Sequence, residues 1–101
     1  MAKKLGAWSE TMDTTEEIQR ICGQVKGQVE AFTGENYVVF TAIKYRNQIV
    51  AGENFLIKVD VGEDYNHLSI YRKLPCEGGE VVLCGVEQHR TKDYPLVPFT
   101  N

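Results

Sequence analysis

One stretch of the sequence has the apolar periodicity of an α-helix, and it restricts the fold more than any other feature. Between residues 14 and 34, apolar residues recur at spacings of three and four, which predicts one helix of about five turns. Thr14 and Glu17 fit a capping box at its start, and Gly34 is a natural end. The apolar stripe consists of Ile18, Ile21, Cys22, Val25, Val29 and Phe32. Because glycines on the opposite face weaken this helix, the stripe must pack against other apolar residues.

The remainder of the chain carries the alternating pattern of β-strands. Four segments are enriched in β-branched and aromatic residues. They are residues 37–46, 54–61, 67–73 and 81–88. Short turns between them indicate an antiparallel meander. We therefore expect an α+β fold in which a sheet of four to five strands wraps around one long helix, while its other face can meet water. Pro95 and Pro98 suit an edge segment at the end of the chain.

The length and composition are those of a single domain. The chain has 101 residues, of which 43% are hydrophobic, enough for one core and too many for a disordered chain. No internal repeat or linker divides it. We expect one domain over residues 1–101, in which residues 1–13 form an extended arm ahead of the helix.

Charge and cysteine content exclude several classes of function. The net charge is −3 and the basic residues form no stripe, which argues against a nucleic-acid partner. No segment approaches the roughly 20 apolar residues of a membrane span, and the first residues lack the apolar core of a signal peptide. The three cysteines are an odd set, unlike a secreted disulfide framework. We expect free thiols, a cytoplasmic location and no membrane partner.

Residues 48–52, "QIVAG", lie where the chain must reverse direction. A single strand over residues 37–61 would exceed the usual length of about 3 to 10 residues. Gly52 can supply the positive φ that a tight turn needs. The apolar residues at this turn are Ile49, Val50 and Ala51. They either form an exposed apolar tip, which soluble proteins seldom leave without a partner, or curl back onto the core.

Two other segments are predicted to lie beside this turn. In an up-and-down meander alternate turns lie at the same end of the sheet, so the loop containing Leu74 and Pro75 is a neighbour of the first turn. The start of the helix, and the arm around Leu5 and Gly6 that precedes it, should lie at this end as well. The sequence therefore predicts an apolar rim built from three segments.

These three segments resemble the intracellular stefins of the cystatin superfamily. "QIVAG" matches the Gln-x-Val-x-Gly motif of that family at Gln48, Val50 and Gly52. Gly6 stands where the family has its N-terminal glycine, and "LP" at residues 74–75 matches the second-hairpin pair of stefins. The stretch over residues 55–75 is similar throughout. The resemblance covers nearly the whole chain, and its three elements occur in order and at matching spacing.

The resemblance implies a tight, reversible inhibitor of papain-like cysteine proteases such as cathepsins, and not an enzyme. It implies that a wedge of arm and two hairpin loops enters the protease cleft, with Leu5 in a non-primed subsite. The implied protease-binding residues are Leu5, Gly6, Gln48, Ile49, Val50, Ala51, Gly52, Leu74 and Pro75. It implies no catalytic residue, metal or cofactor. Stefins also exchange domains by opening the first hairpin, so we expect a monomer, with a swapped dimer as the alternative.

Two other functions remain open at this point, a non-inhibitory module that binds a peptide or ligand on the same frame, and an enzyme. Cys22 and Cys84 are predicted to be inert and buried, whereas Cys76 follows a proline in a loop and should be exposed to oxidation. His67 is expected at the rim of the sheet, and its separation from His89 does not fit a zinc site. No nucleophile, base and orienting group occur together.

Overall fold

The computed structural model describes residues 6–99, which form one helix and a five-stranded sheet. The elements in chain order are β1 (Met12–Asp13), α1 (Glu16–Thr33), β2 (Thr41–Val50), β3 (Gly52–Asp60), β4 (Tyr65–Arg72), a short 3-10 helix (Pro75–Glu77) and β5 (Val81–Arg90). The strands follow one another in the sheet in chain order, and every neighbouring pair is antiparallel. The predicted α+β meander of four to five strands is confirmed.

The helix begins one residue later than the predicted capping box. Thr15 is the N-cap, and its hydroxyl oxygen accepts a hydrogen bond from the amide of Ile18 at 3.2 Å. Thr14 pairs with β2 instead, where its amide donates to the carbonyl oxygen of Ile43 at 3.1 Å and is therefore not free for the reciprocal bond of a capping box with Glu17. The predicted end is confirmed, since Gly34 has a φ of 79° and its amide donates to the carbonyl oxygen of Glu30.

The helical stripe packs into the core except for its last member. Five of the six predicted residues are buried against the inner face of the sheet. Phe32 is 65% exposed, so its assignment to the core was wrong. Tyr37 closes the core at that end instead. Its amide donates to a carboxylate oxygen of Glu30, and its hydroxyl is 3.2 Å from that of Thr33.

The strand boundaries differ from the prediction at both ends of β2. Residues 37–40 belong to the loop after the helix, because Tyr37 is drawn into the core, and β2 begins at Thr41. At its other end β2 continues to Val50, so only Ala51 separates it from β3. The first turn therefore contains fewer residues than the sequence indicated.

The outer face of the sheet, which was predicted to be able to meet water, is partly covered by residues 91–99. Residues 91–99 cross it without forming an edge strand, and Leu96 is buried there. The ammonium group of Lys58 donates to the carbonyl oxygens of Lys92 and Tyr94 at 2.5 and 2.7 Å. The guanidinium group of Arg46 donates to the carbonyl oxygen of Leu96 at 2.6 Å. Side chains of two strands therefore hold this segment against the sheet.

This covering segment also changes the environment of His67. The ring was expected at the rim, but it is fully buried on β4 under Tyr94. Burial, together with the charges of Lys58 and Arg90, lowers its pKa to about 4.

The thiols are free, and two of the three lie where predicted. Cys22 is buried in the core, where burial raises its pKa to about 12, and Cys76 is exposed. Cys84 is exposed rather than buried. The reason is a shift in the pairing of β4 with β5, where Leu83 pairs with Ile70 and Gly85 with Ser69. Cys84 is the extra residue at that irregularity, so the alternation on which the prediction rested breaks there.

Candidate functional site

The connections from β2 to β3 and from β4 to β5 lie at the same end of the sheet, which we call the rim. At the first connection, Gly52 pairs with Val50 and has a φ of 105°. A Cβ atom at this position would lie 2.5 Å from the carbonyl oxygen of Arg72 and 2.7 Å from the hydroxyl oxygen of Tyr71. Glycine is therefore needed here both for its backbone conformation and for the close approach of β4.

The second connection is a short, internally bonded loop. The carbonyl oxygen of Leu74 accepts hydrogen bonds from the amides of Glu77 and Gly79 at 2.9 and 3.0 Å. The amide of Lys73 donates to the carbonyl oxygen of Glu80 at 2.9 Å, which closes the base of the loop. Pro75 starts the 3-10 helix and is exposed. These bonds hold the loop in one conformation although it lies at the surface.

The described part of the arm is bound to β2 beside the first connection. The amide of Gly6 donates to the carbonyl oxygen of Ile49, and the side-chain amide of Gln48 donates to the carbonyl oxygen of Gly6, both at 2.8 Å. Asn54 in turn donates to the side-chain oxygen of Gln48 at 2.9 Å. Trp8 forms an isolated bridge with Gln48. Gln48 is thus one of the β2 residues that fasten the arm beside the first connection, together with Ile49 and, farther along the strand, Asn47, whose carbonyl oxygen accepts from the amide of Ser9 at 2.8 Å.

The structure brings the predicted site residues together, with one exception. A groove of about 570 Å³ lies between the two connections. Of the predicted site residues, those that line it are Ile49, Val50, Gly52, Leu74 and Pro75. Ala51 is exposed beside the groove, and neither Ile49 nor Val50 belongs to the buried core. Leu5 lies outside the described residues.

Charged side chains also line this groove, and sequence reasoning missed their contacts. The guanidinium group of Arg72 donates to Glu53 at 2.8 Å and to Glu17 on the helix at 3.0 Å. Asn47 donates to the other carboxylate oxygen of Glu53 at 2.7 Å. Burial alone would lower the pKa of Arg72, but hydrogen bonds and charges from the two glutamates outweigh it and raise the pKa. The sequence feature that could have revealed these contacts is the opposite charge of Glu53 and Arg72, which pair across neighbouring strands. That pairing can be recognised only when the register of β3 and β4 is known.

The rim has the properties of a binding surface. Its apolar side chains are carried by hairpins and internally bonded loops, so they are positioned before any partner arrives. Within residues 6–99, no cluster of His, Cys, Asp and Glu side chains could hold a metal ion. The same part of the chain contains no helix long and apolar enough to cross a membrane.

Comparisons with known proteins agree with this geometry. The family model described as "Cystatin domain" matches residues 6–93. The chain is 41% identical over 100 residues to Cystatin-B of Oplegnathus fasciatus, covering 98% of this chain and 100% of that protein. It is 42% identical over 96 residues to Stefin-C of Bos taurus, covering 94% and 95% of the two chains. It is also 41% identical over 95 residues to Leukocyte cysteine proteinase inhibitor 1 of Sus scrofa, covering 93% and 92%.

Proposed function

The chain belongs to the cystatin family, and we propose that it is a tight, reversible inhibitor of papain-like cysteine proteases of the cathepsin type. The arm and the two hairpin connections enter the active-site cleft of the protease as a wedge. The observation that carries this proposal is the convergence of three segments at the rim. Gly6 is bonded to both Gln48 and Ile49, and Ile49 shares a groove with Leu74.

The physical properties of the rim suit that task. A cleft with apolar walls is filled best by a narrow apolar edge, which Ile49, Val50 and Ala51 provide. Because hydrogen-bonded loops hold this edge, little conformational entropy is lost on binding. Dissociation constants in the nanomolar range correspond to about −12 kcal/mol, which an interface of ordinary size can supply.

The arm is proposed to block the catalytic centre without becoming a substrate. Gly6 has no side chain, so the backbone can pass close to the catalytic Cys–His pair of the protease. Leu5 would then occupy a non-primed subsite. The protease meets an edge of backbone that offers it no correctly aligned peptide bond, so the inhibitor is released intact.

The chain is accordingly an inhibitor and not an enzyme, and the comparisons give no support to a non-inhibitory ligand-binding module. We further propose that residues 1–101 act as a single domain, as a monomer in the cytoplasm, with neither a membrane nor a nucleic acid as partner. A swapped dimer would open the hairpin at Ala51 into a continuous strand and remove the rim. Size-exclusion chromatography with an inhibition assay on each peak tests this, because a dimer that inhibits as well as the monomer contradicts it.

The function is tested by titrating papain with the protein in the presence of a fluorogenic peptide substrate. Papain activity should fall in proportion to the added protein and vanish at an equimolar ratio. It should return when the complex is diluted and left to dissociate. No inhibition at micromolar protein would exclude the proposed function.

A pair of matched variants tests whether the rim is the surface that binds. Val50→Asp places a charge in the apolar edge and should weaken inhibition by at least about 30-fold, as expected for a residue central to an interface. Val38→Asp makes the same change at a fully exposed position at the opposite end of the sheet, beside the β3–β4 turn, and should inhibit normally. Equal inhibition by both variants would place the binding surface elsewhere.

A further inference from the structure

The last two residues of β4 contact the first hairpin from opposite faces of the sheet. Tyr71 and Arg72 are neighbours in a strand, so their side chains project to opposite sides. On the outer face, the hydroxyl of Tyr71 donates a hydrogen bond to the carbonyl oxygen of Ala51, the only residue between β2 and β3. The tip of the first hairpin is thereby attached to the end of β4.

On the inner face, Arg72 makes a second attachment. Its guanidinium group bridges Glu53, one residue past the start of β3, and Glu17 in the first turn of the helix. The side chains of Arg72 and Glu53 are only 27% and 19% exposed, so this pair is screened less than a surface ion pair. The guanidinium also lies 5.1 Å from the ring centroid of Phe55 in the core.

The two attached residues directly precede the second connection in the chain. Lys73 and Leu74 follow Arg72 without any intervening residue, and the carbonyl oxygen of Arg72 faces Gly52 so closely that a Cβ atom would not fit. The position of Leu74 relative to Val50 therefore depends on where Tyr71 and Arg72 hold the end of β4. Neither residue stands out in the sequence, because neither belongs to an apolar tip.

We propose that Tyr71 and Arg72 are positioning residues that fix the spacing between the two hairpin connections, and that this spacing sets how slowly a bound protease is released. The inference rests on the proposed function. Two loops that must enter one cleft together bind weakly when the distance between them fluctuates. The loops then lose conformational entropy on binding, which lowers the affinity. Loss of either attachment should therefore act on dissociation far more than on association.

The first test removes one hydroxyl group. Tyr71→Phe keeps the ring and deletes only the hydrogen bond to Ala51, and papain should dissociate about fivefold faster, as for one neutral hydrogen bond. The association rate and the melting temperature should stay close to those of the wild type. The matched control is Tyr65→Phe at the other end of β4, which should dissociate at the wild-type rate.

The second test concerns the ion pairs. Arg72→Gln should accelerate dissociation by about tenfold, because charge-assisted contacts are the stronger ones. Arg72→Lys keeps the charge but not the fork that reaches two carboxylates, so it should restore part of the lost residence time. Arg20→Gln on an exposed part of the helix changes the net charge equally and should have no effect on dissociation.

A readout without protease separates positioning from general stability. Amide hydrogen exchange over residues 48–52 of the free protein should become faster in Tyr71→Phe, while exchange in the helix stays unchanged. If the wild type inhibits papain but both variants dissociate at the wild-type rate, the inference is wrong and the proposed function stands. If the wild type itself does not inhibit papain, the proposed function fails and the inference fails with it.

Discussion

Gly52 is the residue at which both hairpins meet. Its φ of 105° disfavours any side chain, and a Cβ atom would overlap the carbonyl oxygen of Arg72. Gly52→Ala should therefore lower the free energy of unfolding by about 1–3 kcal/mol, a cost typical of backbone strain. Denaturant unfolding measures this loss, and weaker inhibition of papain should accompany it.

The control for this substitution is another glycine of the same chain. Gly23 lies on the exposed face of the helix, where a Cβ atom would have no neighbouring group within 4 Å. Gly23→Ala should therefore raise the free energy of unfolding by about 1 kcal/mol. An equal change in the free energy of unfolding for the two substitutions would mean that β4 does not approach Gly52 closely.

The start of the helix depends on one hydroxyl group, that of Thr15. Thr15→Ala removes the acceptor for the amide of Ile18 and should cost about 1 kcal/mol in the free energy of unfolding. Thr14→Ala is the matched comparison, since its amide bond to Ile43 survives the change. Urea unfolding measures the stability of both variants. A larger loss of unfolding free energy for Thr14→Ala would mean that Thr14 is the N-cap, as the sequence suggested.

The elements that local patterns determine were predictable. The helix could be located because its stripe and its final glycine are local signals, and the hairpin at residues 48–52 because no strand could be so long. The number of residues in this turn was not predictable, since it depends on the cross-strand pairing of Val50 with Gly52. The exposure of Cys84 was missed for the same reason, because one unpaired residue reverses the alternation.

The covered outer face of the sheet was missed because its contacts are not local. Lys58 and Arg46 bind main-chain carbonyl oxygens more than thirty residues away, and no sequence pattern specifies such bonds. One clue was present in the sequence: Leu56 alternates with Phe55 and Ile57, which places an apolar residue on the outer face, and it is 1% exposed. At the rim, the apolar tips were predictable, but the polar contacts of Arg72 in the same groove were not.

The stability of the whole molecule should be sensitive to acid because the ring of His67 is buried. It lies among Lys58 on β3, Glu87 and Arg90 on β5, and the ring of Tyr94. The pKa of His67 falls from 6.5 to about 4 on folding. The unfolded chain therefore binds the proton first, and stability is complete above pH 6.5 and declines as the pH falls towards 4. The loss should reach about 3 kcal/mol.

Unfolding by urea at a series of pH values measures this decline. His67→Leu cannot bind the proton, so its stability should vary less between pH 6.5 and 4, whatever its absolute value. His89→Gln is the control, because His89 is exposed and its pKa is raised by Asp64 rather than lowered. An equal decline in the wild type and in His67→Leu would mean that other groups cause the acid sensitivity.

The proposed function requires that one end of the molecule, built from three segments, enters the cleft of a cysteine protease. The decisive experiment compares amide hydrogen exchange of the protein alone with that of the protein bound to saturating, catalytically inactivated papain. We predict slower exchange in the complex at residues 6–9, 48–52 and 73–79, and no change at residues 35–39 and 61–64 at the opposite end. Protection at the opposite end, or at one hairpin without the other, would mean that the three segments do not bind the protease together.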